Sequence, residues 1–252
     1  MKRLLWLLPF LLLMGGVFLE AQTPAGTALP SVTVDFGRTP QGPALSATLQ
    51  TVLLLTVLTL APTILVTMTC FTRIAVVLHF LRQGMGTAQT PSNQILISLA
   101  LATSFFVMAP VGREIYREVL QPLERNELTL EQAMDKTAAP LKVFMLKHTR
   151  KRDLALFYSI SKRPAPVTKA DVTLDVLLPA FMISELKTAF EIGFMIFLPF
   201  LIVDMVVASI LLSMGMMMLP PVVISMPFKV LLFVLVDGWH LVVGSLVKGF
   251  TG

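Results

Sequence analysis

The sequence predicts an all-α, multi-pass membrane protein, and three observations carry that prediction. Apolar residues make up 55% of the chain and charged ones only 14%, with a mean hydropathy of +0.80, beyond the range of a water-soluble domain. Four long apolar segments, Leu49 to Phe71, Gln94 to Gly112, Phe190 to Leu212 and Val222 to Val247, are each long enough to cross about 30 Å of hydrocarbon at a rise of about 1.5 Å per residue. A short basic-then-apolar leader stands in front of them.

That leader, residues 1–21, opens with Lys2 and Arg3, continues through the apolar run Leu4 to Leu13 and ends in small and polar residues. The run is too short to span and reads as a signal peptide, with an uncleaved short anchor as the alternative. Cleavage would put the mature N-terminus outside the cytoplasm. Residues 22–48 are rich in Pro, Gly and Thr, with one short alternating stretch from Val32 to Phe36. They lack the apolar surface to fold alone and read as a flexible mature N-terminus.

Residues 49–112 form the first expected hairpin, with Pro62 inside its first span. Its connection, Thr72 to Asn93, carries Arg73 and Arg82 and no acid, as a cytoplasmic loop should. Residues 113–184 are the one large polar region, helix-patterned at Arg113 to Gln121 and Leu130 to Ser161. Thr129 followed by Gln132 fits a capping box for the second of these, or a chance spacing. A cleaved leader places this region outside, although it holds the run Arg150, Lys151, Arg152 and most of the cations. The positive-inside rule is weak for loops longer than about 60 residues, and Glu114, Glu118, Glu124, Glu127 and Glu131 dilute the charge. Residues 185–252 make the second hairpin. Pro199 sits inside its first span, where membrane helices tolerate a kink that neighbours can satisfy.

Several chemistries are excluded or left without support. The single cysteine, Cys70, permits neither an intrachain disulfide nor a paired-thiol metal or redox motif. His79, His148 and His240 stand far apart without ligand spacing, so structural roles are expected and no metal site. A net charge of +5 and a pI near 9.6 are explained by membrane topology, because the cations form no aromatic-interleaved patch for nucleic acid. No nucleophile elbow, phosphate loop, paired catalytic carboxylates or zinc helix is present. The expectation is no enzymatic activity and no cofactor.

Two features demand a partner. Glu185, Lys187, Glu191, Asp204, Lys229 and Asp237 lie in or beside the last two spans, where an unpaired charge costs at least about 2.5 kcal/mol. Lys187 and Glu191, four apart, can pair locally. Glu185 and Lys229 are then expected to pair between helices or between subunits, leaving Asp204 alone in an apolar run. Such charges could equally do no more than hold helices together. Between the spans runs Ser213-Met214-Gly215-Met216-Met217-Met218-Leu219-Pro220-Pro221, a forced break that is nevertheless apolar. Flexible, polarizable thioethers can seal a lumen and yield to a passing chain. Without a ring of copies, the same loop is only a hairpin turn packed on lipid or a neighbour.

The run from Pro179 to Phe194, followed by Pro199 to Asp204, resembles the signature of the FliP family of flagellar export-gate proteins. Met214 to Pro221, Pro227-Phe228-Lys229, Asp237-Gly238-Trp239, and further back Arg73, Phe80-Leu81-Arg82, Gly86-Thr87, Gln89, Pro91 and Asn93 extend the likeness from Leu49 to the C-terminus. The resemblance implies a core subunit of the flagellar type III secretion apparatus in the bacterial inner membrane. It implies kinked helical hairpins assembled as a homopentamer with FliQ and FliR, beside FlhA and FlhB at the flagellar basal body. Unfolded flagellar subunits pass through its centre. It further implies a gasket of Met214, Met216, Met217 and Met218, and an inter-subunit ion pair of Glu185 and Lys229. In such gates apolar segments stack conically, much of them above the membrane plane. An injectisome-type export-gate subunit shares this core. From another class, an ion-coupled transporter would use Asp204 or Asp237 as proton carrier, and a plain structural anchor would tolerate leucine for the methionines.

Overall fold

A computed structural model describes residues 66–251 except 88, 126, 165, 167, 169, 170 and 217, together with scattered positions between 52 and 63. The expected signal peptide, the tail to residue 48, Pro62 and Met217 lie outside the described residues. The rest is helical, with no strand among the described residues, so the all-α membrane fold holds. The helices are α1 (Phe71–Gly84), α2 (Asn93–Ile115), a π-helical turn (Tyr116–Leu120), α3 (Gln121–Glu124), α4 (Leu130–His148), α5 (Lys151–Ile160), α6 (Leu174–Ser213), α7 (Pro221–Leu235) and α8 (Gly238–Thr251).

The stretch from Thr72 to Asn93 is not the solvated loop its two arginines suggest. Residues 71–84 form α1, which packs along α6 and beside α2. Arg73, Val77 and Leu81 recur every fourth residue, so the arginine shares the stripe that Ile74, Leu78 and Leu81 bury. Close approach to α6 is set by Gly193, where an added Cβ would lie 2.7 Å from the Phe80 ring. Side chain in place of hydrogen would push the two helices apart.

α2 starts on Ser92, whose hydroxyl accepts from the Ile95 amide, and runs on through the π turn as one candidate membrane crossing, Asn93–Glu124. The helical pattern from Leu130 to Ser161 is two helices. Thr129 and Gln132 form the reciprocal capping box at the head of α4, with bonds of 3.1 and 3.3 Å. Extended backbone at Thr149 and Arg150 then separates α4 from α5.

The central element is α6, 40 residues long and continuous through Pro179 and Pro199. At about 60 Å it is about twice the thickness of a hydrocarbon core. Its N-terminal half buries Val176, Leu177, Ala180, Phe181, Ser184, Glu185, Ala189 and Gly193 against α1, α4 and α5. Its C-terminal half buries only Phe200 and Leu211, and Ile202, Met205, Val206 and Ile210 stand exposed. The boundary expected at 184/185 between polar region and second hairpin thus falls inside one helix. The last apolar segment is also not a straight span: α7 and α8 meet at 64°.

Candidate functional site

Three buried or half-buried polar groupings hold these helices together. The deepest joins α1 to α6. Arg73 grips Glu185 with two bonds, Nε to Oε2 at 2.8 Å and Nη2 to Oε1, in a fork-to-carboxylate geometry. Glu185 has no exposed surface and the Arg73 side chain only 6%. The guanidinium carbon lies 3.9 Å from the centre of the Phe250 ring, so α8 covers the pair with a cation–π contact. Phe144 and His148 of α4 complete the lid, with centroids 6.3 and 5.1 Å from Phe250. Burial, then the nearby Arg73 and Lys147, lower the His148 pKa to about 4. One turn before Arg73, Cys70 is wholly buried and sealed against Ser104 at 3.3 Å, the setting of a structural thiol.

The second grouping closes the hairpin of α6 and α7. Lys229 donates to Asp204 Oδ2 at 2.6 Å, and the Ser225 hydroxyl, one turn earlier on α7, donates to Oδ1. Lys229 is 2% exposed and Asp204 25%. The third grouping docks the polar region. Arg150, at the head of α5, reaches Glu191 at 2.7 Å and Thr188 at 3.2 Å, and its amide donates to Ser184 Oγ, which in turn donates to Asp153 at 2.6 Å.

These partners revise the expected ones. Within the chain Glu185 and Lys229 do not pair with each other: Arg73 holds the first and Asp204 the second. Asp204 is therefore not alone. Glu191 turns to Arg150 rather than to Lys187, and both Lys187 and Glu191 are exposed. Asp237 is exposed as well, and its role is in the backbone. With φ of 51° it takes the left-handed position after α7, its amide bonded to Val234 O and its carbonyl to the Leu241 amide that starts α8. Asp is one of the few residues besides glycine that enter this region readily. Arg73, Arg150, Ser225 and Phe250 escaped sequence reasoning. Only the four-residue spacing of Arg73 with Val77 and Leu81 could have marked one of them. His79 and His240 are exposed, and no three His, Cys, Asp or Glu side chains gather for a metal among the described residues.

The methionine segment is a built turn at the tip of the α6–α7 hairpin. Gly215, at φ 76°, donates to Leu212 O at 3.0 Å, and Met216 donates to Leu211 O at 2.9 Å. This is the paired-bond stop that a glycine makes at a helix end. Pro221 then opens α7, where a missing amide hydrogen costs nothing. Met214, Met216 and Met218 project from the turn, 67%, 40% and 97% exposed.

These features define a class: a helical membrane protein whose buried carboxylate Glu185 and half-buried Asp204 are held by internal pairs and whose apolar surface, including a methionine turn, is left for lipid or neighbours. The FliP family model matches residues 54–246, and the chain belongs to the FliP family. It is 58% identical to the flagellar biosynthetic protein FliP of Bacillus subtilis over 205 residues, covering 81% of this chain and 93% of that one. Identity to the protein of the same name from Pectobacterium carotovorum is 50% over 209 residues, 83% and 81% of the two chains. For Caulobacter vibrioides it is 54% over 201 residues, 80% and 76%.

Proposed function

We propose that this protein is a core subunit of the flagellar type III export gate, several copies of which surround a conduit for unfolded flagellar polypeptides. Family membership supports the flagellar role. The observation that carries the conduit is the turn from Met214 to Leu219. A helix stop fixed by two backbone bonds and closed by Pro220 and Pro221 presents apolar side chains outward, with Met218 almost wholly uncovered. Leaving such side chains to water is unfavourable. In a ring the thioethers of neighbouring copies cover one another, seal the lumen to ions and deform around a moving chain. The same need for cover applies to the exposed apolar surface of α6 and α7, which fits neighbouring copies and lipid.

The proposal carries the partners and address the family implies: a pentamer with FliQ and FliR, working beside FlhB and FlhA in the inner membrane at the basal body. It assigns no catalytic role, and Glu185, Asp204 and Lys229 are each held in an ion pair. A transporter built on Asp204 needs a carboxylate free to take up a proton, whereas Lys229 and Ser225 occupy both its oxygens. Co-expression with candidate gate subunits, followed by the mass and an image of the purified particle, tests the assembly. A chain that stays monomeric in detergent and captures no gate subunit overturns it. Alanine at Met216, Met217 and Met218 should leave the particle intact and raise membrane ion conductance. An unchanged conductance removes the seal.

A further inference from the structure

A cavity of about 570 Å³ opens beside the C-terminal end of α1, lined by His79, Arg82, Gln83, Gly86, Thr87 and Phe197. No carboxylate among the described residues lines it. Its floor is Arg82, 9% exposed, and among the described residues the bonds of this guanidinium go to neutral groups. Nη1 donates to Asn93 Oδ1 at 2.6 Å and to the Pro91 carbonyl at 3.3 Å, and Nη2 meets His79 Nδ1 at 3.2 Å. Arginine only donates, so His79 Nδ1 accepts and its proton resides on Nε2, a further donor at the exposed rim. The Nε–H and one Nη2–H of Arg82 remain without an acceptor in these contacts. A second cation stands close by: Lys229 Nζ lies 3.9 Å from where a Cβ on Gly86 would be, although Asp204 already pairs with it. Arg73 and Arg150 have carboxylates; Arg82, 9% exposed against 5% for Arg73, has none among the described residues. A buried charge without a counter-ion is costly, and the cavity leaves room for one.

We propose that this cavity binds a phosphate-bearing anion, supplied by a phospholipid headgroup. Placement favours the lipid over free phosphate. Asn93, which holds Arg82, is the first residue of the candidate crossing Asn93–Glu124, and the exposed Ile95 and Ile97 follow it immediately. The cavity therefore lies beside the first residue of a candidate crossing, the level at which basic pockets between helices take lipid phosphates. Its apolar wall, Phe197, shares a helical face with the exposed Phe194 and Leu201, three and four residues away, along which acyl chains can lie.

The test is native mass spectrometry of the full chain in detergent, titrated with dioleoylphosphatidylglycerol, dioleoylphosphatidylcholine or inorganic phosphate. Arg82→Gln removes the charge and keeps a partner for Asn93. Gln83→Glu changes an exposed rim residue and puts a carboxylate where the phosphate would sit, with no core contact to disturb. The unmodified chain should retain phosphatidylglycerol in preference to phosphatidylcholine, and each variant should weaken retention about tenfold, the loss of one charge-assisted hydrogen bond. Millimolar phosphate should not displace the lipid; displacement would keep the anion site and make free phosphate its ligand. Equal retention by the unmodified chain and Gln83→Glu overturns the site. So does an acidic side chain of a neighbouring chain found on Arg82 in the purified assembly.

Discussion

Glu185→Gln isolates the charge of the deepest ion pair, because glutamine keeps the shape of glutamate and one acceptor oxygen. What it removes is the counter-charge of a guanidinium that is 6% exposed and roofed by Phe250. Stranding one member of a buried pair costs about 3–5 kcal/mol, a large share of a net stability of about 5–15 kcal/mol. At about 2–4 °C per kcal/mol for a chain of this size, melting should fall by about 6–20 °C. Far-UV circular dichroism of the detergent-purified chain reads that shift. The decisive arm is Arg73→Met with Glu185→Leu, which removes both charges and keeps apolar volume. It should recover most of the loss, since a well-packed apolar replacement of a buried pair is often neutral or better. A single Glu185→Gln that melts with the unmodified chain, or a double variant no better than the single, would refute the assignment of Glu185 to Arg73.

Lys229→Met should cost about 2–3 kcal/mol by leaving Asp204 charged in an apolar hairpin. Lys229→Glu should be rescued by Asp204→Lys and not by Glu185→Lys, as read by melting and by yield of assembled particle. Gly193→Ala must displace the Phe80 ring, whose atoms lie 2.7 Å from the new methyl; a loss of about 1–3 kcal/mol is expected, and Phe80→Leu should relieve it. His148 titrates near 4 when folded and near 6.5 when unfolded. Below pH 6.5 the unfolded chain takes up a proton that the folded one refuses, so stability should fall as pH drops towards 4. In a melting series against pH, His148→Leu should flatten that slope, and an unchanged slope would show that another group governs it.

Most of the helices, though not α1, and the methionine turn were legible because they rest on local rules: long apolar runs, a capping box at Thr129, a glycine ahead of two prolines. The charge pairing was not. Arg73 and Glu185 are 112 residues apart, and no local rule couples positions at that separation. Counting acids and bases assigned Arg73 to a solvated loop, whereas its spacing with Val77 and Leu81 already placed it on the apolar face of a helix. Asp237 misled in the other direction: a carboxylate in an apolar run reads as a buried charge, yet it is there because its backbone tolerates the left-handed turn between α7 and α8.

What the long helix α6 adds is a division of labour that hydropathy hides. Both halves are apolar enough to read as membrane segment, but the first is consumed by packing on α1, α4 and α5, whereas the second buries only Phe200 and Leu211 and leaves most of its side chains exposed. Arg73 and Arg150 act only on the first half, through Glu185, Thr188 and Glu191. The second half is tied to the chain's own α7 by Asp204, Ser225 and Lys229. A helix anchored so firmly along its first half transmits its orientation to the other, so the pairs of Glu185 and Glu191 should help set where the methionine turn points. Loosening Glu185 should therefore disturb the proposed seal about 30 residues away, at about 1.5 Å of rise per residue, before the hairpin itself comes apart. Conductance of assembled Glu185→Gln particles reads this directly. A particle that conducts no more than the unmodified one, while melting earlier, would show that the two halves of α6 act independently.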